Sequence, residues 1–260
     1  MHKFWSLLFL LVPIGCVGVF VVAPAMGWWL PEALSSYADE IDHLFYVILV
    51  ITGIAFIATQ LVLAYCLFRF GGEDRKATFQ HGQHTLEMAW TVVPALILIF
   101  IAFYQLRAWA EIKFPSHFPK AALNKPIARV TARQFEWRIR YPGPDGQFDT
   151  IDDLEVVNEL HVTVDEPAVI QLRSMDVLHS FWVPLFRIKQ DAVPGMQIPV
   201  WFQPTRHGTY DLACAELCGW GHYKMRGQVT VHESRAEFES WLEEARARQE
   251  YAGEVAAAAP

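Results

Sequence analysis

No charged residue occurs from Leu44 to Phe68, and none occurs from Met88 to Tyr104. A helix rises about 1.5 Å per residue, so roughly 20 apolar residues cross a hydrocarbon core, and both runs predict membrane-spanning helices. The stretch from Phe4 to Leu30 is also uncharged behind Lys3, but it contains Pro13 and Pro24 and the small-x-small sequence Ala23-Pro24-Ala25. Residues 1–30 are therefore read either as a signal peptide cleaved near residue 25 or as a further membrane span. Cys16 and Cys66 lie in these greasy stretches and read as apolar membrane residues. The loop between the two charge-free runs carries Arg69, Arg75 and Lys76, whereas Glu32, Asp39, Glu40 and Asp42 precede the first run. The positive-inside bias then keeps that loop in the cytoplasm and sends everything after about residue 110 outside.

Beyond residue 126 the period changes. Phe135, Trp137, Ile139 and Tyr141 alternate with polar residues, the signature of a half-buried strand. Short runs of similar character follow at 159–164, 168–172, 198–202, 210–213 and 228–231, separated by Pro-Gly, Asp-Gly, Glu-Pro and His-Gly turn signals. Many short strands without intervening helices predict an antiparallel sandwich or barrel. Ser234 and Glu237 have the form of a capping box, and Phe238, Trp241, Leu242 and Ala245 follow at helical spacing. The expected class is an α+β membrane protein. Its divisions are the signal or extra span at 1–30, a transmembrane helical hairpin at 31–110, the β domain at 111–233, and an amphipathic helix with a frayed tail at 234–260.

Composition sharpens this picture. Of 260 residues, 53% are hydrophobic and 19% charged, with a net charge of −7. Those values exclude a disordered chain and a fibre. After residue 110 there are 21 acids against 16 bases, so nucleic acid is not expected as a partner. Asp145, Asp149, Asp152, Asp153, Glu155, Glu159, Asp165 and Glu166 fall in one stretch without Lys or Arg. They read either as a field that steers a basic protein or as a solvated acidic hairpin, and their spacing lacks the order of a calcium loop.

Chemistry concentrates in Cys214-Ala-Glu-Leu-Cys218-Gly-Trp-Gly-His222-Tyr-Lys-Met225. In an exported domain a disulfide is one reading of the two cysteines, and a zinc site completed by a distant histidine is another. Thiolate, imidazole and thioether in one short loop favour copper, since zinc makes little use of methionine. Two cysteines suggest two metals bridged by both sulfurs, which needs a second histidine. His179, within Asp176-Val-Leu-His179-Ser-Phe-Trp182, is the candidate, while His161, His207 and His232 are left structural.

These residues resemble subunit II of the haem-copper cytochrome c oxidases, across about residues 32–232. The resemblance implies a cupredoxin-like Greek-key sandwich holding two copper ions, the copper A centre. It implies Cys214 and Cys218 as bridging ligands, His179 and His222 as terminal imidazoles, and Met225 and the main-chain carbonyl of Glu216 as axial ligands. It also implies a magnesium at the interface with subunit I, reached by the Glu216 side chain. Leu86-Glu87-x-x-Trp90-Thr91-x-x-Pro94 is similar to the family's second helix, which makes Glu87 the mouth of a proton-uptake channel. The position where the family places its electron-receiving tryptophan is Phe135 here, so either Phe135 or Trp137 is expected to serve. The implied partners are a haem-bearing subunit I and other oxidase subunits, cytochrome c and membrane lipid. The implied location is a bacterial inner membrane with the copper domain on the periplasmic side. A nitric oxide reductase subunit, a tethered copper carrier and a purely structural disulfide domain are the alternatives.

Overall fold

A computed structural model of the protein describes residues 2–71 and 79–258, with side chains at 3–71 and 79–252. Three long apolar helices come first: α1 (His2–Val22), α2 (Ala38–Phe70) and α3 (His84–Lys113). Each has the length and composition to cross a membrane. Arg75 and Lys76, which support the cytoplasmic placement of the α2–α3 loop, lie outside the described residues. Both hairpin helices run beyond their charge-free cores. Asp39 and Glu40 occupy the first turn of α2, where acids favour the positive end of the helix dipole. Contacts gather the chain into two units, Met1–Leu30 with Asp42–Arg107, and Pro31–Ile41 with Ala108–Pro260.

In the first unit, Ser6 Oγ donates to the Ala64 carbonyl at 2.8 Å, and Tyr104 Oη lies 3.2 Å from His43 Nδ1. Most apolar side chains nevertheless face outward, Val62, Leu98 and Phe103 among them. Helices apolar all round belong in a membrane or inside a larger bundle.

The second unit is a sandwich of two five-stranded sheets. One contains β1 (Ala128–Arg133), β2 (Glu136–Tyr141), β3 (Leu154–Val157), β5 (Ala168–Ser174) and β8 (Ile198–Phe202), in the order β3-β2-β1-β5-β8. The other contains β4 (Glu159–Thr163), β6 (His179–Val183), β7 (Ile188–Ala192), β9 (Gly208–Cys214) and β10 (Arg226–His232), in the order β4-β10-β9-β6-β7. Trp137, Ile139 and Tyr141 alternate inward from β2, as their spacing predicts, and Trp137 meets Phe181 edge-on at 5.7 Å. The expectation of a purely antiparallel sandwich needs correction, because β1 pairs with β5 and β4 with β10 in parallel. Each of these strands returns to its sheet after a passage through the opposite sheet. The two directions therefore match without a helical crossover.

Residues 31–41 belong to this sandwich. Leu34 and Tyr37 are buried in its core. The Leu34 amide donates to Leu185 O at 2.8 Å, Leu34 O accepts from the Thr205 amide at 3.1 Å, and Ser36 N donates to Gln203 O at 3.0 Å. Tyr37 Oη donates to Trp201 O at 3.1 Å, and Glu32 makes a two-pronged pair with Arg206. The segment thus adds backbone pairing and apolar packing to the edge near β8.

After a short helix α4 (Lys120–Asn124) before the first strand, the last helix is α5 (Arg235–Ala258). Ser234 Oγ accepts from the Glu237 amide at 3.2 Å, and the Glu237 carboxylate accepts from the Glu233 amide at 2.8 Å. Phe238 and Ala245 are buried against the sandwich, and Trp241 and Leu242 pack beside them. The helix continues to Ala258, past the Gly253 from which the sequence predicts a frayed tail. Beneath it His161 stacks on Trp241 with ring centres 3.6 Å apart.

The run of eight acids is partly neutralised, while Asp145, Asp152, Glu159 and Asp165 stay exposed. Asp149 pairs with Arg129 and Arg140, Glu155 with Arg138 and Arg140, and Glu166 with Arg235. Asp153 is buried and accepts from the Gly143 and Asp149 amides. Arginines distant in sequence have been folded onto the acidic stretch.

Candidate metal centre

The site forms where the inner ends of two strands meet a loop. β6 begins at His179 and β9 ends at Cys214. The loop from Cys214 is tied back by Cys214 N donating to Met225 O at 3.1 Å and Ala215 N to Ser180 O at 3.0 Å. A short 3-10 turn, His222–Lys224, then aims Met225 inward until its side chain is fully buried.

Donor atoms converge there. Cys214 Sγ lies 3.9 Å from Cys218 Sγ, and neither cysteine is in a disulfide. His179 Nδ1 is 3.9 Å from Cys214 Sγ, and His222 Nδ1 is 3.6 Å from Cys218 Sγ. Met225 Sδ stands 3.8 Å from Cys218 Sγ, while the Cys214 thiol donates to Glu216 O at 3.2 Å. Two sulfurs in the middle, one imidazole beside each, a thioether and a carbonyl at the flanks make a soft set with room for cations shared between sulfurs. His179, Cys214 and Cys218 are all buried, with ligand atoms within 4.8 Å of one another.

Two residues without an assigned role in the sequence reading hold this set in place. Asp176 Oδ1 lies 2.8 Å from His179 Nε2, and the same carboxylate accepts from the Gln134 and Val177 amides at 2.7 Å each. With Nε2–H given to Asp176, His179 keeps a lone pair on Nδ1 toward the sulfurs. Gln134 Nε2 donates to Cys218 O at 2.5 Å and pins the loop. Burial would raise the Asp176 carboxyl, but its bonds from His179 and the two amides hold it below the usual range. Burial would likewise lower His179, yet Cys214 and Asp176 outweigh it and raise that group. At Cys214 burial opposes ionisation, while the bond with His179 and contacts with the Ser180 and Glu216 backbone bring the thiol down to about 6. Burial and the neighbouring Cys214 charge push Cys218 up to about 12. Ligation requires both sulfurs as thiolates, a state that a cation between them stabilises.

The other expected residues supply no donor atom to this cluster. Trp137 is fully buried, its ring edge-on to His179 at 6.3 Å. Phe135 is half-buried and meets Trp220 at 5.4 Å. Glu87 sits in the first turn of α3, where its carboxylate accepts from the Gln83 amide at 3.2 Å. The Glu216 side chain is partly exposed.

Residues 23–108 match the family described as cytochrome c oxidase subunit II, transmembrane domain, and residues 140–232 match cytochrome c oxidase subunit II, periplasmic domain. A relative named alternative cytochrome c oxidase subunit 2, from Bradyrhizobium diazoefficiens, is 34% identical over 92% of this chain and 91% of its own length. The chain belongs to the cytochrome c oxidase subunit II family. A cytochrome c oxidase subunit 2 from Thermostichus vulcanus is 30% identical over 85% of this chain and 82% of its own. The solved periplasmic domain of subunit II of a Bradyrhizobium japonicum cytochrome oxidase is 30% identical, covering 46% of this chain and 93% of that one, with a TM-score of 0.41. Membership makes this subunit II chain a component of an oxidase complex, anchored in a membrane with an external β domain. The family also implies a copper A centre, and His179, Cys214, Cys218 and Met225 are the residues that lie together here.

Proposed function

We propose that this chain is the electron-input subunit of a haem-copper terminal oxidase in a bacterial inner membrane, with its copper domain on the periplasmic side. It takes electrons from cytochrome c and passes them to a haem in subunit I, where oxygen is reduced and protons are translocated. The reading is carried by the two buried, unjoined cysteine sulfurs 3.9 Å apart, each beside a different imidazole. Cys214 and Cys218 would hold two copper ions jointly, with His179 and His222 beside them and Met225 and the Glu216 carbonyl completing the set. When bound, the copper pair supplies a one-electron relay whose small change in bond lengths opposes transfer little. The protein's part is to exclude water and fix the ligands. Asp176 orients His179, Gln134 anchors the Cys218 carbonyl, and the buried Met225 seals the inner side. An EPR spectrum of the copper-loaded protein should show one unpaired electron spread over two copper nuclei. A spectrum from a single copper would refute the arrangement.

Two further roles belong to this reading. The Glu216 carboxylate would offer an oxygen to a magnesium shared with subunit I, a hard cation that takes oxygen ligands. Glu87, at the start of α3, feeds protons into a channel in subunit I. Glu87→Gln in the assembled oxidase should slow proton uptake several-fold while the copper spectrum stays as it was. Uptake at the unchanged rate would return Glu87 to its helix-capping bond with Gln83.

A further inference from the structure

The metal loop turns an aromatic face to solvent. Trp220, two positions after Cys218 and two before His222, is 79% exposed. Burying its ring in the domain would have been favourable by a few kcal/mol, so an exposed tryptophan on a ligand loop points to a use outside the fold. Its ring is held in place. The Trp220 and Phe135 rings meet at 67° with centres 5.4 Å apart, and Lys224 Nζ lies 5.6 Å over Trp220. Phe135 in turn lies against the loop backbone. A Cβ at Gly221 would come within 2.5 Å of its ring, and one at Gly219 within 3.2 Å. Glycine at both positions is what lets Phe135 reach the peptide units that join Trp220 to the two ligands. Trp137 also approaches the site, but it is wholly buried and no external molecule can touch it.

We propose that Trp220 is the contact through which the electron donor docks and delivers its electron, with Phe135 as the ring behind it. The inference rests on the electron-input reading above. The partner is a reduced c-type cytochrome, whose exposed haem edge is a flat apolar surface suited to an indole face. The transfer moves one electron and no proton. The donor's iron goes from ferrous to ferric, the oxidised metal pair held by Cys214 and Cys218 gains that electron, and no bond is made or broken.

The test uses the assembled oxidase carrying Trp220→Ala, with Trp220→Phe beside it. Because the side chain is mostly solvent-exposed, its removal leaves the sandwich core intact. Binding of cytochrome c is measured by calorimetry on copper-loaded and copper-depleted protein, and reduction of the site is followed by stopped flow with reduced cytochrome c and separately with dithionite. Interface tryptophans dominate binding, so Trp220→Ala should weaken the complex about tenfold or more in both copper states. It should slow reduction by cytochrome c to match, and leave the dithionite rate and the two-copper EPR spectrum unaltered. Trp220→Phe should recover most of the loss. Binding and reduction within twofold of wild type, with the spectrum intact, would overturn the proposal. Should alanine itself disturb the spectrum, Trp220→Gln is judged by the same two measurements. If the wild-type protein shows no two-copper spectrum, the electron-input reading fails, and the role of Trp220 fails with it.

Discussion

Cys218→Ser in the assembled oxidase is expected to abolish the two-copper EPR spectrum and to reduce turnover with reduced cytochrome c by more than about a hundredfold. Loss of a group that merely orients a ligand already costs about 10- to 100-fold in metal affinity or activity, and Cys218 is proposed to ligate both ions. Its sulfur lies within 4 Å of three other donors, those of Cys214, His222 and Met225. Serine matches the shape but replaces a soft, ionisable donor with a hard hydroxyl, so the protein should still fold. Met225→Leu, which removes only a flanking thioether, should retain the dinuclear spectrum with altered splittings and a smaller loss of rate. Turnover of Cys218→Ser at the wild-type rate would end the bridging assignment.

The second large effect concerns acid stability. His161 Nδ1 and His232 Nε2 lie 2.9 Å apart beneath α5, His232 Nδ1 is 3.3 Å from Glu237 Oε1, and His161 Nε2 is 3.9 Å from Glu159 Oε2. The Tyr141 hydroxyl accepts from the His161 amide, and Arg248 adds positive charge nearby. Burial first, then the charges of His232 and Arg248, lower His161 from 6.5 to about 3. Between those two values the unfolded chain binds a proton that the folded chain does not. Stability is therefore fully present above pH 6.5 and falls as the pH drops toward 3, by up to about 1.4 kcal/mol per pH unit. Melting of the detergent-solubilised chain between pH 7 and pH 4 checks this. His161→Phe keeps the stack on Trp241 but cannot titrate, so its melting temperature should decline less steeply with acid. Parallel curves for the two proteins would contradict the assignment.

Much of this architecture is visible in the sequence because it is local. The charge-free runs, the alternation through β2, the capping box at Ser234 and five of the six proposed ligands are each contained in a short window. What escaped depends on distance or on double burial. Gln134 meets Asp176 across 42 positions and Cys218 across 84, and no short spacing rule reports such contacts. Strand β6 has four of its five residues buried and lacks the alternation that marks a half-buried strand, whereas β1 alternates in sequence but buries polar positions along with apolar ones. Within β1 even Arg129 is buried, made tolerable by Asp149 and by the Phe148 ring beneath its guanidinium. The pairing of Asp149, Glu155 and Glu166 is not visible in the acidic stretch itself because their arginine partners mostly lie upstream on β1 and β2. Segment 31–41 falls within the hairpin division in sequence, since Leu34 and Tyr37 are too few to set a strand period.

That segment joins parts of the chain that the sequence holds far apart. Leu34 and Tyr37 precede the hairpin helices in the chain, yet their partners Leu185, Trp201 and Thr205 follow both helices. Seating Leu34 and Tyr37 in the sandwich core places both ends of the hairpin on the same side of the membrane. The membrane anchor and the cupredoxin core are thus tied together through one short segment, and a fragment starting near residue 110 would lack the piece that packs along its β8 edge.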